Sequence, residues 1–320
     1  MTKTKIGMWL TAAAVWTAAA AFPAPPAETP TKIRLEEVLT IGGPDEETLF
    51  QWTGVAVDES GAIYVLDALD FSLKKFDAQG RLLKKTGRKG QGPGEFSMPR
   101  WLAVDKEYVF ASDQPVAGLC VFDRDLNFRK TIRLSGLVDA LESRPGGGVA
   151  VVVSNFQDPG RIVLLDRRGE VEGEVRYMTK SDGPLLDSVN IAAGTGDVFT
   201  LGFLFQDKVE KWDAAGLMSW TANLFGGKAV ETKMIGGFAL PQDTCVLDIA
   251  VDGRGRTFAL GGKRAKNRGR DVFVLNPDGK VETMFVLPEP SHCLYIDDRN
   301  FLYVRADDGI TLKKYRMVFE

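Results

Sequence analysis

The chain has little of what most catalytic and metal centres need. It contains one histidine, His292, and three cysteines, Cys120, Cys245 and Cys293, in 320 residues. A histidine-rich zinc centre is therefore excluded. A nucleophilic triad would have to use His292, and no serine elbow in the sequence supports one. Neither sign of charge dominates: 40 Lys and Arg stand against 43 Asp and Glu, with a pI near 5.5. No global field draws such a chain to nucleic acid or to an anionic membrane. No long stretch carries the apolar period of a helix, and 34 glycines point to strands and turns instead.

What is present begins with a leader. Lys3 and Lys5 precede an apolar, alanine-rich run over residues 6–22, and Ala19-Ala20-Ala21 supplies small residues for cleavage. This is the layout of a secretory signal peptide over residues 1–21, followed by a Pro/Ala linker over 22–31. A retained anchor is the other reading, although the run is short for a membrane span. No cysteine lies near its end to carry a lipid. The expected location is secreted or periplasmic, with no stable span after cleavage.

The remainder is organised around TGVAVDESGAIYVLDALDFSLKKFDAQGRLLKKTG, residues 53–87. GVAV is suited to a strand buried on both faces. Asp58 to Gly61 is turn chemistry, and AIYVL, LKKF and RLLKKT are three further strands. Polarity and lysine content rise from the first strand to the last, as expected if the first lines a crowded centre and the last is an exposed edge. Two signatures then repeat. An apolar-Asp ending recurs at Asp58, Asp105, Asp252 and Asp297, with gaps of 47 and 45 residues within the two pairs. An apolar residue followed by Asp or Asn recurs at Asp77, Asp123, Asp166, Asp213 and Asn276, at gaps of 46, 43, 47 and 63. Periods of this length mark propellers and solenoids. They divide residues 32–320 into six units, near 53–86, 100–134, 138–178, 187–223, 246–287 and 291–319, with an insertion within 223–244. The last unit has three strands of its own. Residues 32–41 (KIRLEEVLTI) are the expected fourth, closing an all-β six-bladed propeller of four-stranded antiparallel blades.

The connector GRKGQGPGEF leading into FSMPRWLAVD, after the unit quoted above, resembles the NHL-type repeat of six-bladed β-propellers. The resemblance is specific over 53–110, fair over 246–280 and carried by spacing alone in units three and four. It implies the propeller fold and a ligand- or partner-binding face at the channel mouth; fold alone implies no catalysis. Residues just before each first strand should converge there: Thr53, Arg100, Asp139, Asp187 or Ser188, Asp248 and His292, with Trp101 beside Arg100. If Asp139, Asp187 and Asp248 converge, their repulsion calls for a cation such as calcium or a basic ligand. The other reading is that each caps the amides of its own loop. Gluconolactonase-type propellers are similar in layout and hold a divalent cation at the channel. Asp248 resembles their strand entrance, one residue displaced, and Asn190 with Asp187 completes such a set only by a forced alignment.

Several further features have a structural and a functional reading. KRAKNRGR (263–270) places five cations between two strands of the fifth unit, either a solvated, mobile hairpin or a site for an acidic polymer; export and the acidic pI weigh against RNA. Arg88 and Lys89 lack the following helix of a phosphate cradle. Trp52, Trp101, Trp212 and Trp220 fit spaces between blades, and Trp101 is the one placed to touch a ligand. Cys245 and Cys293, at strand entrances of neighbouring units, are either a disulfide or two free thiols, since adjacent inner strands tend to lie too far apart to bridge. Cys120 reads as a buried apolar residue. Two functions remain open. The first is an exported, non-catalytic module that binds a protein, peptide or saccharide and no nucleic acid; the second is a divalent-cation-dependent lactonase or hydrolase.

Overall fold

The computed structural model describes residues 32–320 except 115–116, 155–159, 178–185 and 237. The expected leader and linker lie outside the described residues. None of the described residues forms a helix long and apolar enough to cross a membrane.

A long strand, β1 (Ile33–Gly42), comes first. Blade one then runs β2 (Trp52–Val57), β3 (Ile63–Asp67), β4 (Ser72–Phe76) and β5 (Leu82–Thr86). Blade two is β6 (Pro99–Val104), β7 (Tyr108–Asp113), β8 (Gly118–Asp123) and β9 (Phe128–Arg133). Blade three is β10 (Leu137–Ser143), β11 (Val149–Ser154), β12 (Arg161–Leu165) and β13 (Val171–Val175). Blade four is β14 (Val189–Gly194), β15 (Val198–Phe203), β16 (Val209–Asp213) and β17 (Met218–Ala222). A separate hairpin, β18 (Thr232–Ile235) and β19 (Phe238–Pro241), fills the expected insertion. Blade five is β20 (Val246–Val251), β21 (Thr257–Gly261), β22 (Asp271–Leu275) and β23 (Val281–Val286). Blade six is β24 (Leu294–Ile296), β25 (Phe301–Arg305) and β26 (Thr311–Phe319), completed by β1 in the order β1-β26-β25-β24. Each blade is a four-stranded antiparallel sheet, and together they form a six-bladed propeller.

The apolar runs are continuous because each blade is buried on both faces. On β3, Ile63 and Val65 point into one seam, with Trp52, Phe76 and Tyr303. Tyr64 and Leu66 point into the next, with Phe96, Leu102 and Phe122. Six such clusters of buried residues lie between successive blades, one per seam. The outermost strand escapes this demand, and β5 is exposed along most of its length. Closure is by register: Ile33 pairs with Phe319 and Gly42 with Thr311. Lys32 and Glu320 exchange backbone hydrogen bonds at 3.1 and 2.8 Å.

The repeated Asp and Asn residues share one task. Asp58 Oδ1 accepts the backbone N–H groups of Ser60 and Ala62, two and four residues on. Asp252, Asp297, Asp77, Asp123, Asp213 and Asn276 do the same in their own turns. Each closes a tight turn that would otherwise leave amides unpaired. The three cysteines are free thiols. Cys245 packs in the seam between blades four and five and Cys293 against that between blades six and one, so the two face different cores. Cys120 is buried as expected.

The basic run 263–270 differs from the mobile hairpin anticipated for it. Arg264 donates to the carbonyls of Lys228 and Ala229, Lys263 Nζ to that of Gln242, and Arg270 Nε to that of Leu287. Ala265 is buried between these anchors. The segment is bound to the insertion by its own guanidinium and ammonium groups.

Candidate functional site at the channel

Because strands alternate in direction, each first strand starts at one end of the central channel and finishes at the other. At the starting end, the mouth, four first strands carry a register irregularity. It falls between Trp52 and Gly54, Pro99 and Leu102, Val138 and Ala140, and Val246 and Asp248. The displaced residues are Thr53, Arg100 with Trp101, Asp139 and Leu247. A bulge of this kind re-aims a side chain where regular pairing would have sent it into a seam.

A cavity of about 100 Å³ opens at the mouth. Of the expected residues, Thr53, Trp101, Asp248 and His292 line it, together with Asn190. Arg100 lies beside it, with its guanidinium 5.6 Å from the centre of the Trp101 ring system. Asp139 and Asp187 are gathered elsewhere. Their charges, with that of Glu210, act on the buried Tyr177 hydroxyl and, after burial itself, raise its pKa. Burial also raises Asp139 from its ordinary value, against the pull of Ser154 and Arg100. Asp248 belongs to the seam with blade six. Its Oδ1 accepts the Ile249 N–H at 2.9 Å and its Oδ2 the Leu294 N–H at 2.7 Å. Among the described residues no group of three or more His, Cys, Asp or Glu side chains is arranged to hold a metal ion. The three aspartates thus sit in two neighbourhoods, each tied to its own blade boundary.

At the far end a second cavity, of about 260 Å³, is lined by Asp58, Asp105, Arg144, the alanines Ala192, Ala193 and Ala250, and Asp298. Glu142, Ile249, Leu294 and Tyr295 line both cavities, so these four residues form the partition between them. The repeat explains the partition. In the AVD signature the residue two before Asp is Ala56, Ala103 and Ala250, while blades three and six carry Glu142 and Tyr295 in the corresponding places. Blades three and six are opposite one another in a six-membered ring. These two long side chains come from opposite sides of the channel, and each lines both cavities. The Tyr295 hydroxyl accepts from the Val57 N–H and donates to the Val57 carbonyl, both at 3.3 Å. Burial raises its pKa, and the Glu142 charge adds to the effect.

Glu142 and Asp248 are the chemically unusual groups. Burial pushes each carboxyl up to about 7, and the nearby Asp248 charge raises Glu142 further. Amide and hydroxyl donation from Ser143 to Glu142 offsets part of the rise, as do the Leu294 and Ile249 amides and the Cys293 thiol at Asp248. Near neutral pH each carboxyl is poised between its protonated and ionised forms. His292, at the rim, is held below its ordinary pKa by desolvation and by the charges of Arg305 and Arg268, so it presents a neutral imidazole. Burial, followed by the Asp248 charge, raises the Cys293 thiol well above its ordinary value, which leaves it inert as a nucleophile. Glu142 and Tyr295 were not singled out by sequence, and Cys293 was noted only as half of a candidate disulfide. The available signal was the break in the alanine position of the repeat.

The faces also differ. First-to-second and third-to-fourth connections, all at the far end, are short turns such as 58–62, 77–81, 252–256 and 276–280. Connections on the mouth face include 87–98 and 262–270, and the insertion 223–245 with its own hairpin.

A family described as DUF5128, 6-bladed beta-propeller, matches residues 45–233. A protein of unknown function from Bacteroides thetaiotaomicron has a similar structure, with TM-score 0.59, 14% identity and coverage of 90% of this chain and 76% of that one. Virginiamycin B lyase from Staphylococcus aureus is similar at TM-score 0.57 and 10% identity, over 90% of this chain and 100% of the other. Hydrazine synthase from Kuenenia stuttgartiensis is similar at TM-score 0.56 and 14% identity, over 83% and 76%. At these identities the likeness concerns the fold. No curated protein matches the chain.

Proposed function

The chain belongs to the DUF5128 family of six-bladed β-propellers, and from that premise we propose that it is an exported, non-catalytic binding module that takes its ligand on the mouth face. The ligand is a protein, peptide or saccharide met outside the cytoplasm. The observation that carries this reading is the asymmetry of the two faces: the long connections lie on the mouth face, and the far face is built of short, Asp-closed turns. Binding residues are expected on loops held by a rigid scaffold. Arg100 and Trp101 supply a cation stacked on an aromatic face, a surface suited to a sugar ring or a peptide side chain.

The test is a glycan and peptide array probed with the wild-type protein, with a mouth variant (Arg100→Ala, Trp101→Ala) and with a far-face variant (Glu59→Ala, Asp298→Ala). Hits that vanish in the mouth variant and persist in the far-face variant support the reading; the opposite pattern overturns it.

A second reading, a cation-dependent lactonase or hydrolase, is favoured by one observation: two carboxyls poised near neutrality at the mouth are suited to general acid–base work. It predicts lactone hydrolysis that needs calcium, magnesium, manganese or zinc and is abolished by Glu142→Gln or Asp248→Asn. An unchanged thermal midpoint with all four cations, together with no turnover, would remove it.

A further inference from the structure

Three successive blades place polar groups on one side of the mouth cavity. Glu142 stands in blade three where the repeat has alanine, Asn190 two residues before Ala192 in blade four, and Asp248 two residues before Ala250 in blade five. Residues two apart on a strand share a face, and all three side chains line the cavity. Their oxygens differ in what they already hold. Both Asp248 oxygens are taken, by the Ile249 and Leu294 amides. Glu142 Oε1 accepts the Ser143 N–H at 2.9 Å and its hydroxyl at 3.2 Å, and among the described residues nothing donates to Oε2. Asn190, only 9% accessible, donates from Nδ2 to the Leu247 carbonyl at 2.7 Å. That bond fixes the amide and leaves Oδ1, which has no donor among the described residues, to the cavity it lines. A buried amide oxygen is rarely left without a donor in a folded chain, and this one calls for a ligand that brings N–H or O–H groups.

Glu142 adds charge at the same place. Burial holds its proton up to about pH 7, and a cation beside Oε2 would favour its release. An ammonium suits the two open oxygens because it brings N–H donors, whereas calcium or magnesium needs a fuller shell of oxygens. The rim has the opposite chemistry. Arg305 donates from Nη1 to the Trp52 carbonyl at 2.6 Å, and its charge acts on both Asp248 and His292. Arg268 also acts on His292, and Arg100 stacks on Trp101. Guanidiniums at the entrance repel a bare cation, yet they donate to carbonyl oxygens. The amino terminus of a peptide presents an ammonium followed directly by carbonyls; a lysine side chain or a polyamine has only methylenes there. Capture of a terminal amine is a recurring mode of peptide recognition.

We propose that the mouth cavity captures the free amino terminus of a peptide, with the ammonium between Glu142 Oε2 and Asn190 Oδ1 and the first carbonyls on the rim arginines. The inference rests on the mouth-face reading above and narrows its ligand to one class.

The protein is titrated at about pH 7.5 with trialaninamide, N-acetyltrialaninamide and butylamine at millimolar concentration, and the Asn190 side-chain amide is followed by NMR. Trialaninamide should shift that resonance saturably, and the acetylated peptide and butylamine should bind at least about tenfold more weakly. Glu142→Gln should cost trialaninamide a similar factor without lowering the melting temperature, since the amide carries no charge to bury. Affinity should fall below about pH 7, as Glu142 takes up its proton, and above about pH 8, as the terminal amine loses one. Asp248 on β20 and Tyr295 on β24 are the titratable groups that act with Glu142, and the acid limb should flatten in Glu142→Gln. Equal binding of the acetylated peptide overturns the inference. So does equal binding of butylamine, which would make the mouth a general cation site. Absence of trialaninamide binding also overturns it; the mouth-face reading then stands if array hits still depend on Arg100 and Trp101, and falls if they do not.

Discussion

Glu142 and Asp248 each bind a proton more tightly in the folded protein than in the unfolded chain, because burial disfavours their charged forms. Their contribution to stability is therefore fully present below the ordinary carboxylate range near pH 4, is lost as pH climbs toward 7, and stays lost above it. Over that window the two together should weaken folding by roughly a few kcal/mol. Melting temperature measured from pH 4 to pH 8 should fall across the interval, and the fall should flatten in Glu142→Gln/Asp248→Asn. A profile unchanged by the double substitution would place the titrating groups elsewhere. A second residue of consequence is Lys74, 1% exposed, with Nζ 2.8 Å from both Asp67 and Asp70. Lys74→Ala leaves a buried carboxylate without its cation and should cost about 3–5 kcal/mol in urea denaturation. Neither feature was legible in the sequence. LKKF reads as one more lysine-bearing strand, and Glu142 becomes distinctive only when blades three and six are known to be opposite.

Turns, by contrast, were legible, since the Asp or Asn of most signatures acts on amides two and four residues away within its own turn. What sequence did not grade is how much each turn matters. Asp213 serves two amides in a half-exposed turn. Asp297 is buried, serves two amides, and also accepts the Tyr303 hydroxyl at 2.9 Å. Asp297→Ala should therefore cost about 3 kcal/mol and Asp213→Ala about 1 kcal/mol, a ranking that denaturant midpoints would test. Equal costs would mean that the turn alone, and not its tie to the seam, sets the penalty. Strand-level reading also placed Asp139, Asp187 and Asp248 in one ring by counting back from aligned positions. The bulges of the first strands displace that count, and the aspartates divide between the Tyr177 and Leu294 neighbourhoods.

For the whole molecule, repeat spacing was enough to divide residues 32–320 into blades, because a period near 46 residues leaves room for four strands and little else. It was also enough to assign residues 32–41 to the last blade, where β1 now lies. The seams, the partition and the contrast between faces are properties of a closed ring, and no local window contains them. Closure has a further implication. Blade six is assembled from one N-terminal outer strand and three C-terminal ones, and residues 32 and 320 are hydrogen-bonded neighbours. A short Gly/Ser linker between them would permit the backbone to be cut at Gly216, in the turn between β16 and β17, where an added side chain would meet nothing within 4 Å. In that circular permutant blade four would be built from one N-terminal outer strand, β17, and three C-terminal ones, which is the present composition of blade six. Chain polarity would change while every strand pairing stayed the same, so the beginning of this fold is a matter of genetic convenience and its six seams are interchangeable places to start.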